Sequence, residues 1–113
     1  MEALEANLTK ACLKIANLKA ILEALATRLL MLNSQFEPEA AAEQRRKLDQ
    51  IELHLRFLDD AQGFLMIASH MTKDLCREGS QSFELYAFKL IEDAEVIFEA
   101  VANKYSPIAA ASV

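Results

Sequence analysis

Leu4, Leu8, Ala11, Ile15, Leu18, Leu22, Leu25, Leu29 and Leu32 follow one another at alternating steps of four and three. This heptad spacing, about four repeats long, predicts one straight or gently supercoiled helix from about residue 2 to residue 33. A second apolar line, Ala6, Leu13, Ala20, Ala24 and Met31, lies roughly 140° round the same helix at about 100° per residue. A helix that is apolar on two sides requires neighbours on both.

The run Asn33-Ser34-Gln35-Phe36-Glu37-Pro38 breaks the pattern. Pro38 cannot continue a preceding helix, and Ser34 and Glu37 have capping-box spacing; alternatively, Pro38 occupies the first turn of the next helix, where its missing N–H costs nothing. A second helix is predicted from Pro38 to about Arg77. Glu39 and Glu43 lie near its positive end, as the helix dipole favours. Its first half carries one stripe, Leu48, Ile51, Leu55 and Leu58, which Leu65 and Cys76 extend. From Phe57 a second stripe appears, through Ala61, Phe64, Ala68, Met71 and Leu75.

That second stripe is explained if the chain turns at Gly79, with Ser80 or Ser82 as N-cap, and a third helix folds back from about Ser82 to Lys104. Folded antiparallel, this helix reaches only to about residue 55 of the second. Its matching face is Phe83, Tyr86, Ala87, Leu90, Ala94, Ile97, Val101 and Tyr105. Gly63 disfavours helix locally, but the apolar phase runs across it, so the second helix is expected to be continuous. The expected fold is therefore all-α, an antiparallel three-helix bundle built on a long helical hairpin. It occupies residues 1–106, with 107–113 as a flexible tail. Its core should include Leu18, Leu22, Leu25, Leu55, Leu58, Leu65, Leu90, Ile97 and Val101.

Composition agrees: of 113 residues, 53% are hydrophobic and 26% charged, with two Gly, two Pro and no Trp. That is the profile of a helical bundle. A net charge of −5 argues against nucleic acid or an anionic membrane as partner, since both select clustered Lys and Arg. No apolar run approaches the roughly eighteen residues of a membrane span, and Met1-Glu2-Ala3-Leu4-Glu5 lacks a basic leader, so a cytoplasmic location is expected. Cys12 and Cys76 have no zinc-type ligand spacing. Both are expected to be small buried hydrophobes, reduced and not bonded to each other.

Candidate chemistry is sparse. His70-Met71-Thr72-Lys73 resembles the phospho-acceptor stretch of histidine phosphotransfer domains, where an exposed imidazole takes a phosphoryl group and a lysine one turn on offsets its charge. Asp74 stands where that family has glycine. His54 falls near the edge of the first stripe, and neither histidine follows a glutamate at the spacing of di-iron bundles, so neither metal nor cofactor is expected. Glu92, Asp93, Glu95 and Glu99 read as a solvated acidic face of the third helix. Arg45-Arg46-Lys47 wraps around the second helix and holds no aromatic residue for base stacking. No nucleophile signature occurs, which makes an enzyme the weakest class.

The expected function is a non-enzymatic protein–protein interaction module, either a self-associating helical bundle or a small adaptor or chaperone that docks a partner helix. Its candidate interface is the second line of the first helix together with Leu85, Phe88 and Val96 on the back of the third. The simplest partner is a second copy, giving a homodimer. In architecture the hairpin turning at Phe36-Glu37-Pro38 loosely resembles the small hairpin co-chaperones of bacterial secretion systems. The alternative function, implied by the other resemblance, is a signalling domain that passes phosphate through His70, with Lys73 beside it.

Overall fold

A computed structural model describes residues 2–31, 38–78 and 81–105, apart from the side chains of Glu2, 74–78 and 81–83. The expected caps at Ser34, Glu37, Gly79 and Ser80, and the tail, lie outside the described residues. So do Leu32 and the side chains of Leu75, Cys76 and Phe83. Among the described residues there are three helices: α1 (Glu2–Met31), α2 (Pro38–Glu78) and α3 (Gln81–Lys104). Among the described residues there is no strand.

Helix α2 sets the length of the molecule. Its 41 residues span about 62 Å at 1.5 Å per residue, which matches the long dimension of the 62 × 23 × 18 Å particle. The radius of gyration, 17.7 Å, exceeds the ~13 Å of a globular domain of this size. The bundle is a rod.

All three pairs of helices touch, and α2 packs on α3 most extensively. Between α1 and α2 the contacts run in opposite order along the two helices. The Gln44 amide donates to the Leu29 carbonyl, while ten residues earlier on α1 Lys19 meets Asp59 at 2.7 Å and Gln62 at 3.1 Å. The Gln44 bond has a clear physical role. Leu29 lies in the last turn of α1, where carbonyls have no partner within the helix, and a side chain from α2 satisfies one of them.

The α1 seam forms the core. Leu4, Ala11, Ile15, Leu18 and Leu22 are buried, and Leu8, Leu25 and Leu29 are half-buried against them. From α2 come Ile51, Leu58, Ala61, Leu65 and Ala68, and from α3 Ala87, Leu90, Ile91, Ala94 and Val101. Ala61, Ala68, Ala87 and Ala94 are completely buried, which lets helix backbones approach closely. Of the expected core, Leu25, Leu55 and Ile97 are only partly buried, packed on its edge.

Helix α3 is oriented differently from the expectation. Tyr86, expected on the inner face, is exposed, whereas Ile91 is buried and Phe88 and Phe98 are half-buried. The cause is α1: Asn7 shares a recess with Phe88 and Ile91, and the Lys14 ammonium lies 6.0 Å from the centre of the Phe98 ring. Because α3 touches α1 as well as α2, its buried face is wider and turned towards α1.

Helix α2 is continuous through Gly63. A methyl group built at Gly63 meets no atom within 4 Å, so the glycine serves no close approach and costs helix propensity. Gly63→Ala is expected to raise stability by about 0.5–1 kcal/mol in urea unfolding. Leu58, fully buried, should behave in the opposite sense, with Leu58→Ala costing about 2–5 kcal/mol; a loss below 1 kcal/mol would mean that the core is placed wrongly.

Candidate functional site

Helix α1 carries the candidate interface on the side away from its seam. Ala6, Leu13, Ala20, Ala24 and Met31 are all exposed, Leu13 at 59% and Met31 at 80%. Three further exposed residues fall between them, Thr9, Ala16 and Thr27. The eight together advance at steps of three and four, a second heptad line made mostly of small side chains. The Thr9 and Thr27 hydroxyls donate to the carbonyls of Glu5 and Glu23, at 2.9 and 3.0 Å. With these hydroxyls satisfied inside the helix, covering the threonines leaves no unpaired donor. The two threonines are polar by composition, so the apolar pattern alone passes over them.

The α3 part of the candidate interface does not come together. Leu85 and Val96 are exposed, but exposed Lys89 and Glu92 lie between them on the same side. Single exposed apolar residues of this kind are ordinary surface. Phe88 packs against the core instead of lying on the back of the helix. The acidic residues of α3 are also dispersed: Asp93 pairs with Lys89 at 3.2 Å, while Glu92 and Glu95 edge the recess beside Asn7. Among the described residues no three His, Cys, Asp or Glu side chains are placed to hold a metal ion.

His70 and Lys73 are exposed and line one open groove of about 490 Å³ between α1 and α2, with Cys12, Met66 and Ser69. Cys12 corrects the expectation of a buried thiol. It is a free, exposed cysteine, because it sits one position to the side of buried Ala11, at the rim where α1 meets α2.

His54 is buried at 6% exposure, well inside the stripe edge where its sequence position puts it. Its Nδ1 shares a 2.5 Å hydrogen bond with the Tyr105 hydroxyl. The two rings meet edge to face with centres 5.3 Å apart, and Phe57 lies 6.0 Å away on the imidazole's other contact. Burial, and after it the Lys104 charge, hold the imidazole below its ordinary pKa. Burial also raises the Tyr105 phenol. The pair ties the end of α3 to the middle of α2, and at that end of α3 the Tyr105 N–H donates to the Ala102 carbonyl at 3.0 Å and tightens the helix end.

Beside this pair, a second cavity of about 330 Å³ opens between the end of α1, the first half of α2 and the end of α3, lined by Leu25, Leu29, Lys47, Gln50, Ile51, Lys104 and Tyr105. The basic run of α2 divides here. Arg45 and Arg46 turn to Asp49 and Glu43, at 3.7 and 3.0 Å, and Lys47 faces the cavity.

No protein family, curated protein or solved structure matches this chain. No helix among the described residues is long and apolar enough to cross a membrane.

The His54 environment predicts a pH dependence. Below about pH 6.5 the unfolded chain gains a proton that the folded imidazole resists, so stability should fall from there down to the lowered pKa and level off below it. Above about pH 10 the unfolded chain loses the phenol proton first, so stability should fall again. Urea midpoints measured from pH 8 to pH 4.5 check the acid limb; His54→Phe should flatten it, and an equal slope in that variant would assign the effect to other groups.

Proposed function

We propose that this protein is a non-enzymatic helix-pairing module that associates with itself through α1. In this reading the antiparallel α1–α2 hairpin, with α3 against it, uses one α1 seam for its own core and offers the other to a second copy. The observation that carries the reading is the exposed line from Ala6 to Met31, whose threonines are already satisfied. It runs about 38 Å, and small residues along it permit helix axes to approach to about 8 Å. A two-fold axis sets the line against its own copy, which is the commonest way for a chain to cover such a face.

Light scattering at tens of micromolar should give twice the 12.6 kDa chain mass. Ala20→Glu combined with Ala24→Glu should return the single-chain mass without loss of helical circular dichroism. A single-chain mass for the unmodified protein would overturn self-association and leave a foreign amphipathic helix as the occupant of the same line.

A second reading, phosphotransfer through His70, is favoured by one observation: His70 and Lys73 are both exposed on one open groove. Incubation with a phosphorylated receiver domain should then place acid-labile label on the protein but not on His70→Gln. No transfer would eliminate it.

A further inference from the structure

We propose that the 330 Å³ cavity beside the end of α3 is a binding site for a small carboxylate-bearing amphiphile. This goes beyond helix pairing and shares no residue with the outward line of α1. Three observations support it, and each concerns a different part of such a ligand.

The inner wall is aliphatic, made by Leu25 and Leu29 of α1 and Ile51 of α2. Ile51 is buried and the two leucines are half-buried, so a short hydrocarbon chain laid here covers apolar surface that the three helices leave open. The volume sits at the low end of small-ligand cavities, which suits a molecule of this kind and not a helix.

The rim is cationic. Among the described residues Lys47 and Lys104 line the cavity and no Asp or Glu does, although the chain as a whole carries a net charge of −5. Neither lysine has a carboxylate partner among the described residues, whereas Arg45 and Arg46 beside Lys47 pair with Asp49 and Glu43. The positive field is felt nearby, since Lys104 is a cause of the depressed His54 basicity. An anionic head group placed between the two ammonium groups supplies the missing countercharge.

The remaining polar group is an orienting one. The Gln50 amide lines the same cavity and can donate to a carboxylate oxygen. The Tyr105 hydroxyl is engaged by His54, so its ring serves as a wall. A fatty or arylalkyl acid of medium length fits: tail on the leucines and Ile51, carboxylate between Lys47 and Lys104. An uncharged or cationic amphiphile satisfies the wall but not the rim.

The test uses sodium octanoate as probe and the full chain, with amide chemical shifts followed through a titration. Saturable shifts are expected at Leu25, Gln50, Ile51 and Tyr105. Replacing Lys47 and Lys104 together by Gln should weaken octanoate binding at least tenfold, and replacing both by Arg should restore it. Neither double variant should change the helical circular dichroism, because both side chains are exposed. 1-Octanol should bind the unmodified protein at least tenfold more weakly than octanoate. The proposal is overturned if octanol matches octanoate, if the Gln variant binds unchanged, or if the shifts centre on Cys12, Ser69 and His70. The mass in light scattering plays no part in these outcomes, so they stand or fall separately from self-association.

Discussion

A helix that presents a leucine, isoleucine or alanine inward at every turn from Leu4 to Leu29 cannot stay in water, and a single neighbour is too narrow to cover it. The seam therefore lies in the groove between two helices, and this requirement sets the register of the bundle. Once α1 is seated, Gln44 meets the end of α1 and Lys19 meets Asp59. Those polar contacts are half-exposed, each worth about 1 kcal/mol or less. They report the register; the buried leucines enforce it. Helix α2 is longer than α1 and α3, so it alone runs the length of the rod.

Much of this was legible in the sequence, because spacing alone determines which residues share a helix face. The α1 seam and most of the two α2 stripes follow from periodicity, though Phe57, expected to open the second stripe, is exposed, and the contact between His54 and Tyr105 sits where α3 is expected to end. Three features did not follow. Pairing α3 with α2 alone leaves Ile91, Phe88 and Phe98 outside the core; only the position of α1 makes them inner residues. His54 looked like an edge residue because a ring nitrogen scores as polar, and its burial depends on a phenol fifty-one residues away. Cys12 looked like a small hydrophobe, but one step along a helix turns a side chain by about 100°, enough to move it from beside buried Ala11 to the surface.

The candidate sites divide in the same way. The outward line of α1 was visible as Ala6, Leu13, Ala20, Ala24 and Met31, while Thr9 and Thr27 joined it only when their hydroxyls were seen to bond within the helix. A threonine in that state presents a methyl group, so a line that looks interrupted in sequence is more nearly continuous as a surface. The cavity beside Tyr105 had no sequence signal at all, since its two lysines are fifty-seven residues apart and line one cavity only because α3 ends against the first half of α2.

Helix α1 thus supports three separate surfaces, and their angular separation matters. The seam points into the bundle, the outward line points away from it, and Leu25 and Leu29 at the seam's edge floor the cavity. A second copy docked on the outward line therefore lies on the far side of α1 from the cavity, with the thickness of a helix, about 10 Å, between them. Pairing in this way leaves both cavities of a dimer open to solvent. It also leaves the His54–Tyr105 contact untouched, because that contact joins α2 to the end of α3 and involves no residue of α1. In the proposed dimer, the physical demand that α1 makes, to be covered on two sides, is met by its own chain on one side and by its copy on the other. The cavity beside the end of α3 remains free for a ligand whose charge complements Lys47 and Lys104.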